Sequence, residues 1–190
     1  MIGVLLRDNV DKYTLNKEIK EVINSYNKIC IGIYPNSLEQ FKKIVKLCDG
    51  FILQGGSDYN ELEIEMVKYL YDNDIPTLGI CLGMQMMGVM NGKLDLIGNN
   101  NHQNEIHEVI IKKNSKLFSI LKKEKIIVNS RHLEHIINTE LDIVAYSKDG
   151  IIEAIEDKNK IFFIGVQWHP ESIIDENSKK IFDYFFIHKL

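Results

Sequence analysis

Apolar residues recur along this chain in two alternating patterns, one with the period of a helix and one typical of buried strands. Leu15, Ile19, Val22, Ile23 and Tyr26 share one face of a helix, and similar spacing predicts further helices. Short β-branched runs bounded by turn residues predict strands. In the first half, the predicted strands are 3–6, 29–34, 51–53 and 77–80, and the predicted helices are 15–26, 38–47, 62–70 and 82–90.

The second half changes to short β-type runs separated by turns. Because strands and helices alternate in the first half, we expect a parallel sheet there, with helices on both faces. The later runs predict a small antiparallel addition, a last strand of the sheet and a closing helix. At 190 residues the chain has the size of one domain, so residues 1–190 are predicted to form a single unit. The later predictions are strands at 109–111, 126–128, 143–145, 151–155 and 161–166, a loop at 99–101 and a helix at 176–187.

The charge balance narrows the classes of function. Lys and Arg number 23 and Asp and Glu 27, so the formal charge is −4, which gives no basic footprint for nucleic acid. No apolar run approaches the ~18–20 residues of a membrane helix, and the N-terminal run is too short for a secretory signal. The three cysteines lack metal-ligand spacing. We therefore expect free thiols in a reducing compartment, the cytoplasm.

The segment 76–85 has the form G-x-C-x-G around Cys81 and lies between a predicted strand and a predicted helix. In such an elbow the nucleophile occupies a strained turn, and glycines two residues before and after it let the neighbouring backbone pass closely. The N-terminus of the following helix favours a thiolate at Cys81. The N–H of Leu82 would point into the site as one oxyanion donor. The alternative is a small core cysteine in a glycine-flanked turn.

A second segment, G-V-Q-W-H-P-E at 165–171, directly follows the last β-type run. Pro170 disfavours helix at His169, and in an extended chain residues two apart project to the same side, so His169 and Glu171 are expected to meet. A histidine oriented by a carboxylate is what a general base for a thiol requires. The order of Cys81, His169 and Glu171 argues against an α/β-hydrolase, in which the acid precedes the histidine.

The loop after the strand at 51–53 contains two consecutive glycines, Gly55 and Gly56. It lacks the G-x-G-x-x-G spacing of a dinucleotide site. Ligands of open α/β sheets bind at the carboxyl ends of strands, where Cys81 also emerges. We therefore predict that Gly55 or Gly56 supplies the second oxyanion donor. The alternative is a plain turn.

Taken in this order, the Gly-Gly loop after a strand, G-I-C-x-G-x-Q and G-V-Q-W-H-P-E resemble the class I (triad-type) glutamine amidotransferase superfamily, over nearly the whole chain. The resemblance implies a flavodoxin-like, open and mostly parallel sheet. It also implies that Cys81 is the nucleophile, His169 the base and Glu171 its orienting acid. Gln85, at the Gln position of the motif, would help line the γ-glutamyl pocket.

Two further stretches, V-N-S-R-H at 128–132 and D-G-I-I-E-A-I-E at 149–156, resemble the γ-glutamyl hydrolase branch of that superfamily. This branch comprises the peptidase C26-like proteins, which include γ-glutamyl-γ-aminobutyrate hydrolase. By that resemblance, Ser130 and His132 would approach the other end of the substrate.

The chain also departs from the pattern of this branch. Leu82 stands where the branch usually has Arg, and Leu is more typical of glutaminase domains. Leu133 and Glu134 replace a His and a Gln, and the loop after Gly56 lacks a longer insertion. These departures leave the identity of the leaving amine open.

Several histidines invite a zinc interpretation, namely His102, His107 and the His132-Leu133-Glu134-His135 stretch. An H-x-x-H spacing without cysteine is a weak zinc signal. We therefore predict polar surface or substrate-side histidines and no metal site.

The resulting hypothesis is an acyl-transfer hydrolase that needs no metal or organic cofactor. Cys81 would attack a small-molecule γ-glutamyl amide, and water activated by His169 would release glutamate from the thioester. The first alternative is a glutaminase that hands ammonia to a separate synthase partner. The second is a non-catalytic binding domain on the same scaffold. No nucleic acid or membrane partner is expected.

Overall fold

The structure of the protein is a computed structural model that describes residues 1–97 and 102–188. The loop predicted at 99–101 lies outside these residues. The helices are α1 (Lys17–Ser25), α2 (Leu38–Val45), α3 (Glu61–Asp72), α4 (Leu82–Val89), α5 (Lys116–Leu121) and α6 (Glu176–His188). The strands are β1 (Ile2–Leu5), β2 (Arg7–Asn9), β3 (Lys12–Thr14), β4 (Cys30–Ile33), β5 (Gly50–Leu53), β6 (Thr77–Ile80), β7 (Lys93–Leu96), β8 (Gln103–Ile111), β9 (Lys125–Arg131), β10 (Glu134–Asn138), β11 (Asp142–Ser147), β12 (Ile152–Glu156) and β13 (Phe163–Val166).

Within the described residues the main sheet has nine strands, in the order β4-β1-β5-β6-β13-β12-β11-β8-β9. The strands from β4 to β13 run parallel to their neighbours. From β13 onward each pairing is antiparallel. The predicted antiparallel addition is therefore a continuation of the same sheet, and β13 is the strand that joins its two halves.

Helices cover both faces of this sheet, as predicted. Apolar residues of α1, α5 and α6 form one buried layer with one face of the strands. Residues of α2, α3 and α4 form the second layer with the other face. The strands β1, β5, β6 and β13 are buried on both sides because each face carries a helical layer, and their sequences are correspondingly apolar. The edge strand β4 is partly exposed.

The helices begin at sequence-encoded caps. Asn16 accepts hydrogen bonds from the first turn of α1, and Ser37 does so for α2. Asn60 and Glu63 form a reciprocal capping box at α3. α4 differs, because its N-cap residue is Cys81 and no side chain caps the helix.

Three features were not predicted from the sequence. Between the predicted strand at 3–6 and the predicted helix at 15–26 the sequence predicts a polar loop, but this segment forms the hairpin of β2 and β3. β7 and β10 form a separate two-stranded ribbon, and α5 is a short helix between β8 and β9. Each is too short or too exposed to show a clear apolar period. Among the described residues, no helix is long and apolar enough to cross a membrane.

Candidate active site

Cys81 occupies a sharp turn between β6 and α4. Its φ of 53° and ψ of −109° lie outside the regions that residues with a side chain normally adopt. The Cys81 N–H donates to the Val166 carbonyl at 2.9 Å, which ties the turn to β13. Strained backbone of this kind persists where the surrounding structure holds it, and it clusters at active sites. The conformation is that of the predicted nucleophile elbow.

The two glycines that flank the elbow allow α4 to lie directly against the sheet. A Cβ at Gly83 would lie 2.0 Å from the Leu53 carbonyl oxygen, and one at Gly79 would lie 2.4 Å from the Met87 sulfur. Neither position has room for a side chain. The spacing G-x-C-x-G therefore follows from close packing of this helix on β5 and β6.

The Gly-Gly loop lies beside the elbow. The position of a Cβ at Gly55 is 3.6 Å from the Cys81 Cβ and 3.0 Å from the His169 Cε1. A Cβ at Gly56 would lie 3.0 Å from the Leu82 Cδ2. Leu82 is the first residue of α4, so its N–H has no acceptor within the helix. The loop and the helix N-terminus thus meet where the two predicted oxyanion donors are needed.

The side chain of Gln54 anchors the Gly-Gly loop to three other segments by hydrogen bonds. Its side-chain amide donates to the carbonyls of Leu5 at 2.8 Å and Thr14 at 3.0 Å, and its Oε1 accepts from the Asn16 N–H at 2.8 Å. These bonds connect the loop to β1, β3 and the start of α1. A cleft of about 420 Å³ opens beside the loop, lined by Arg7, Asp8, Asn9, Thr14, Leu15, Asn16, Gln54, Gly55, Gly56 and Ser57.

His169 and Glu171 lie side by side after β13. The His169 Nδ1 is 2.8 Å from the Glu171 Oε1, and the Glu171 side chain is fully buried. Burial disfavours the imidazolium form, but side-chain interactions with Cys81 and Glu171 outweigh it and raise the pKa of His169 to about 10. The structure therefore brings together the three groups that the sequence proposed as a triad. A thiol beside a carboxylate-oriented imidazole can carry out covalent acyl transfer.

Asn129, which sequence reasoning did not single out, clamps the backbone of His169. Its Nδ2 donates to the His169 carbonyl at 3.1 Å, and its Oδ1 accepts from the His169 N–H at 3.0 Å. Asn129 lies on β9, at the far edge of the sheet from β4. Its place in the V-N-S-R-H stretch was the available signal.

Gln167 connects Gln85 to the nucleophile. The Gln167 amide lies 3.6 Å from the Cys81 sulfur and donates to it, and its oxygen accepts from the Gln85 amide at 3.4 Å. The Gln85 amide also donates to the Glu134 carbonyl at 2.9 Å. The side chain of Gln85 is thus held beside the site, while its predicted contact with substrate stays a prediction.

The predicted substrate contacts Ser130 and His132 each form one side-chain hydrogen bond within the protein. The Ser130 hydroxyl donates to the His102 carbonyl at 2.7 Å. The His132 Nδ1 donates to the Glu134 carbonyl at 2.9 Å, because a carbonyl oxygen can only accept. Their role in contacting substrate therefore stays a prediction.

Four residues, His102, His107, His132 and Glu153, form a group that we call the histidine–glutamate cluster. The prediction of polar surface or substrate-side histidines is wrong for these histidines as regards surface exposure, and a substrate-side role stays a prediction. His102, His132 and Glu153 are buried, and His107 is nearly so. Interaction with Glu153, supported by Asp149, raises the pKa of His102 despite burial. Burial acts to raise the pKa of Glu153, but interactions with the three histidines outweigh it and hold that pKa well below its usual range.

The acidic stretch at 149–156 has structural contacts. Glu153 belongs to the cluster, and Glu156 accepts from the backbone N–H groups of Lys116 at 2.6 Å and Leu117 at 2.9 Å. Glu156 therefore satisfies donors at the N-terminus of α5. The stretch at 149–156, which resembles the hydrolase branch, thus has its two buried glutamates in contacts within the antiparallel half of the sheet.

Arg7 is a further residue that the sequence misrepresented. Next to Asp8 in the sequence, Arg7 is predicted to be an ordinary solvated charge, but its side chain is buried and forms an ion pair with Glu63. Its guanidinium also donates to the Asp58 carbonyl at 3.3 Å. A Cβ at Gly56 would lie 2.6 Å from the Arg7 Cδ, so Arg7 forms one wall of the Gly-Gly loop.

Comparison with known proteins places these features in a family. The model of the family described as Glutamine amidotransferase class-I matches residues 5–189. Anthranilate synthase component 2 of Cyanophora paradoxa is 32% identical over 195 residues, covering 96% of this chain and 97% of the relative. A putative glutamine amidotransferase of Schizosaccharomyces pombe is 33% identical and covers 82% of this chain and 74% of its own. A glutamine-hydrolysing GMP synthase of Francisella tularensis is 32% identical over 97% of this chain, which spans 36% of that protein.

Solved structures share the fold. A putative GMP synthase protein of Thermoplasma acidophilum superposes with a TM-score of 0.74 at 22% identity, covering 98% of this chain and 92% of the other. The glutaminase domain of Trypanosoma brucei CTPS with bound acivicin also gives 0.74, at 19% identity, covering 100% and 94%. The predicted flavodoxin-like α/β fold is confirmed, whereas the γ-glutamyl hydrolase branch is not confirmed by these relatives. The chain belongs to the class I glutamine amidotransferase family.

Proposed function

We propose that this protein is a glutaminase that hydrolyses the side-chain amide of glutamine to glutamate and ammonia. The Cys81 sulfur attacks the γ-carbonyl, and the N–H groups of Leu82 and of Gly55 or Gly56 stabilise the oxyanion. His169, as imidazolium, gives its proton to the departing ammonia, and Glu171 keeps the ring oriented. A γ-glutamyl thioester remains. Water then attacks it, His169 takes the proton of that water, and glutamate leaves from Cys81.

The strained turn at Cys81 is the observation that carries this proposal. It directs a cysteine to the uncapped N-terminus of α4, beside a Gly-Gly loop and a histidine paired with a buried carboxylate. Removing one oxyanion donor in such sites typically reduces turnover by ~10²–10³-fold. A binding domain without catalysis would have no use for this combination.

Free glutamine is a better-supported substrate than a larger γ-glutamyl amide. The relatives named above include two synthase-associated proteins, whereas the acidic stretch that suggested the hydrolase branch is engaged with α5 and the histidine–glutamate cluster. The residue Leu82 also favours glutamine as the substrate, since the hydrolase branch usually has Arg at this position. These observations favour the glutaminase alternative over the γ-glutamyl hydrolase hypothesis.

A separate synthase is the proposed recipient of the ammonia. The relative from Cyanophora paradoxa is named as component 2 of anthranilate synthase and matches this chain along almost its whole length. The GMP synthase relative carries the matching segment within a longer chain. We infer that this chain supplies glutaminase activity to a synthase that acts on the ammonia.

The test is a substrate panel with the purified chain. Glutamate release is measured from glutamine and from γ-glutamyl amines of increasing size, with and without candidate synthase partners of the same organism. Preference for glutamine, with or without stimulation by a synthase, supports the proposal. Preference for γ-glutamyl amines would restore the hydrolase hypothesis and overturn this one.

Covalent labelling gives a second readout. Acivicin, a glutamine analogue, is expected to label Cys81 and not Cys30 or Cys48, because burial raises the pKa of both of the other thiols. Cys81→Ala should abolish labelling and turnover, and Cys48→Ala serves as the matched control that retains both. Absence of glutamate release and of labelling, with every synthase tried, would indicate a non-catalytic domain.

A further inference from the structure

The histidine–glutamate cluster lies outside the triad, on the antiparallel half of the sheet. His107 is on β8, Glu153 is on β12, and His102 and His132 adjoin the ends of β8 and β9. The proposed glutaminase chemistry uses none of these four side chains. A buried group of three imidazoles around one carboxylate therefore requires its own explanation.

The spacing of the donor atoms is the first observation. The Glu153 Oε1 lies 3.1 Å from the His107 Nε2, 3.3 Å from the His102 Nδ1 and 3.7 Å from the His132 Nε2. Zinc is bound tetrahedrally by His and carboxylate atoms at about 2.0–2.2 Å, which separates neighbouring donor atoms by about 3.3 Å. One donor atom each from His102, His132 and Glu153 lies within 4.8 Å of the others. These three residues can therefore offer one donor atom each to a shared metal ion, and the His107 Nε2 approaches the same carboxylate oxygen from a fourth side chain.

The outer partners of two histidines direct their lone pairs inward. The His132 Nδ1 donates to the Glu134 carbonyl, so the neutral ring carries its lone pair on Nε2, which faces Glu153. The His102 Nε2 lies 3.1 Å from the Asp149 carboxylate, so in the neutral ring the lone pair is on Nδ1, which faces Glu153. A metal ion at Nδ1 would replace the proton that this nitrogen carries when the ring is charged. Metal-binding histidines characteristically donate the other ring N–H to a carbonyl or carboxylate in this way.

The inward-facing atoms are also unsatisfied. Among the described residues, the His102 Nδ1, the His107 Nε2, the His132 Nε2 and both Glu153 oxygens are buried without a hydrogen-bond partner of acceptable geometry. The nitrogens are close to Glu153 Oε1, yet they are not oriented as donors toward it. Converging lone pairs and a carboxylate repel one another unless protons or a metal cation lie between them. Buried polar groups in this state usually have a partner such as an ion.

We propose that His102, His107, His132 and Glu153 form a structural binding site for one divalent transition-metal ion, with zinc as the ion that fits three imidazoles and one carboxylate. Four protein ligands close the coordination shell, so the ion holds β8, β12 and the end of β9 together and leaves no position for substrate. The proposed metal site also adjoins the segment between β13 and His169, because the Gln167 N–H donates to the Glu153 carbonyl at 2.8 Å. This proposal departs from the sequence-based expectation of no metal.

The test measures metal binding and is independent of glutaminase activity. The untagged chain is stripped with a chelator, and zinc is titrated back in competition with a chromophoric chelator. The measurement is made in a Cys81→Ala background, so that zinc cannot bind the thiol. We expect one zinc per chain and a higher melting temperature on binding. Cobalt should give the strong visible absorption of a tetrahedral site.

Variants separate this site from other zinc-binding groups. His107→Asn and Glu153→Gln should each abolish stoichiometric zinc uptake. Asp149→Asn removes the carboxylate that orients the His102 ring and should weaken zinc binding about 10–100-fold. His135→Asn is the matched control, since His135 is a neighbouring histidine outside the cluster, and it should bind zinc normally. Should the cluster variants fail to fold, the cobalt spectrum of the Cys81→Ala chain still decides the question.

Two results would overturn the proposal. The first is no stoichiometric zinc or cobalt uptake by the Cys81→Ala chain, which would mean that protons alone balance the cluster. The second is uptake that persists unchanged in His107→Asn or Glu153→Gln. Because neither result depends on turnover, the metal proposal can fail while the glutaminase proposal stands, and the reverse also holds.

Discussion

Asn129 joins His169, the proposed general base, to the distant edge of the sheet, and its replacement by alanine tests that connection. Both polar atoms of the Asn129 amide bond the backbone of His169, at 3.1 and 3.0 Å, and Asn129 is buried. Alanine removes both partners and leaves a buried carbonyl and a buried N–H of His169 without them. The change therefore affects the position of the imidazole without touching the thiol.

The magnitude follows from these two bonds. Leaving one buried polar group unsatisfied costs about 1–3 kcal/mol, so Asn129→Ala should lower the free energy of unfolding by about 2–6 kcal/mol. A displacement of a catalytic group by about 1 Å can reduce turnover about 10²-fold. We therefore expect a lower kcat for glutamine, with a smaller change in KM.

Urea unfolding and steady-state kinetics of the same preparations measure the two effects. Ile127→Thr is the matched control, because Ile127 lies on the same strand with an exposed side chain, and its stability should stay within about 0.5 kcal/mol of the unmodified chain. If Asn129→Ala is as stable as this control and keeps its full kcat, the clamp does not position His169 and the reasoning is refuted.

Two further predictions concern the elbow and its base. Gly83→Ala would place a Cβ 2.0 Å from the Leu53 carbonyl oxygen. We therefore expect the free energy of unfolding to fall by about 1–3 kcal/mol, measured by thermal unfolding, and glutaminase activity to be lost. An unchanged melting temperature would show that α4 can move away from β5. Because the pKa of His169 is raised to about 10 in the folded protein, its charge stabilises the fold fully below about pH 6.5 and this contribution is lost as the pH rises toward the raised pKa. His169→Asn should therefore show a smaller fall in unfolding free energy between about pH 7 and the raised pKa than the unmodified chain, and equal slopes would contradict the raised pKa.

Local sequence signals predicted the elbow at Cys81 and the contact between His169 and Glu171. G-x-C-x-G is a pattern of five consecutive positions, so it can be recognised locally, although the residue that Gly83 makes room for is the distant Leu53. His169 and Glu171 are two positions apart in an extended segment, so their contact also follows from local geometry. The parallel strands were predictable for a related reason, since burial on both faces demands continuous apolar runs.

Contacts between distant segments required the tertiary structure. Asn129 reaches His169 across 40 positions, and the Gln167 amide reaches the Cys81 sulfur across 86. The strand predicted at 126–128 ends just before Asn129, whereas β9 extends through it to Arg131, so no local pattern in the sequence places Asn129 beside His169. Pairing of β8 with β9 and of β12 with β13 sets these distances, and strand register is not encoded in the periodicity of one segment.

The sequence alone determined the parallel α/β core, the turn at Cys81 and the pairing of His169 with Glu171, because apolar period, glycine sterics and extended geometry act over short stretches of chain. Tertiary structure decided that Arg7 is buried, that the antiparallel strands extend the main sheet, and that three histidines predicted to be polar surface or substrate-side residues surround Glu153. The physical reason is that burial and charge pairing depend on which segments become neighbours. That choice is made by the packing of the whole chain.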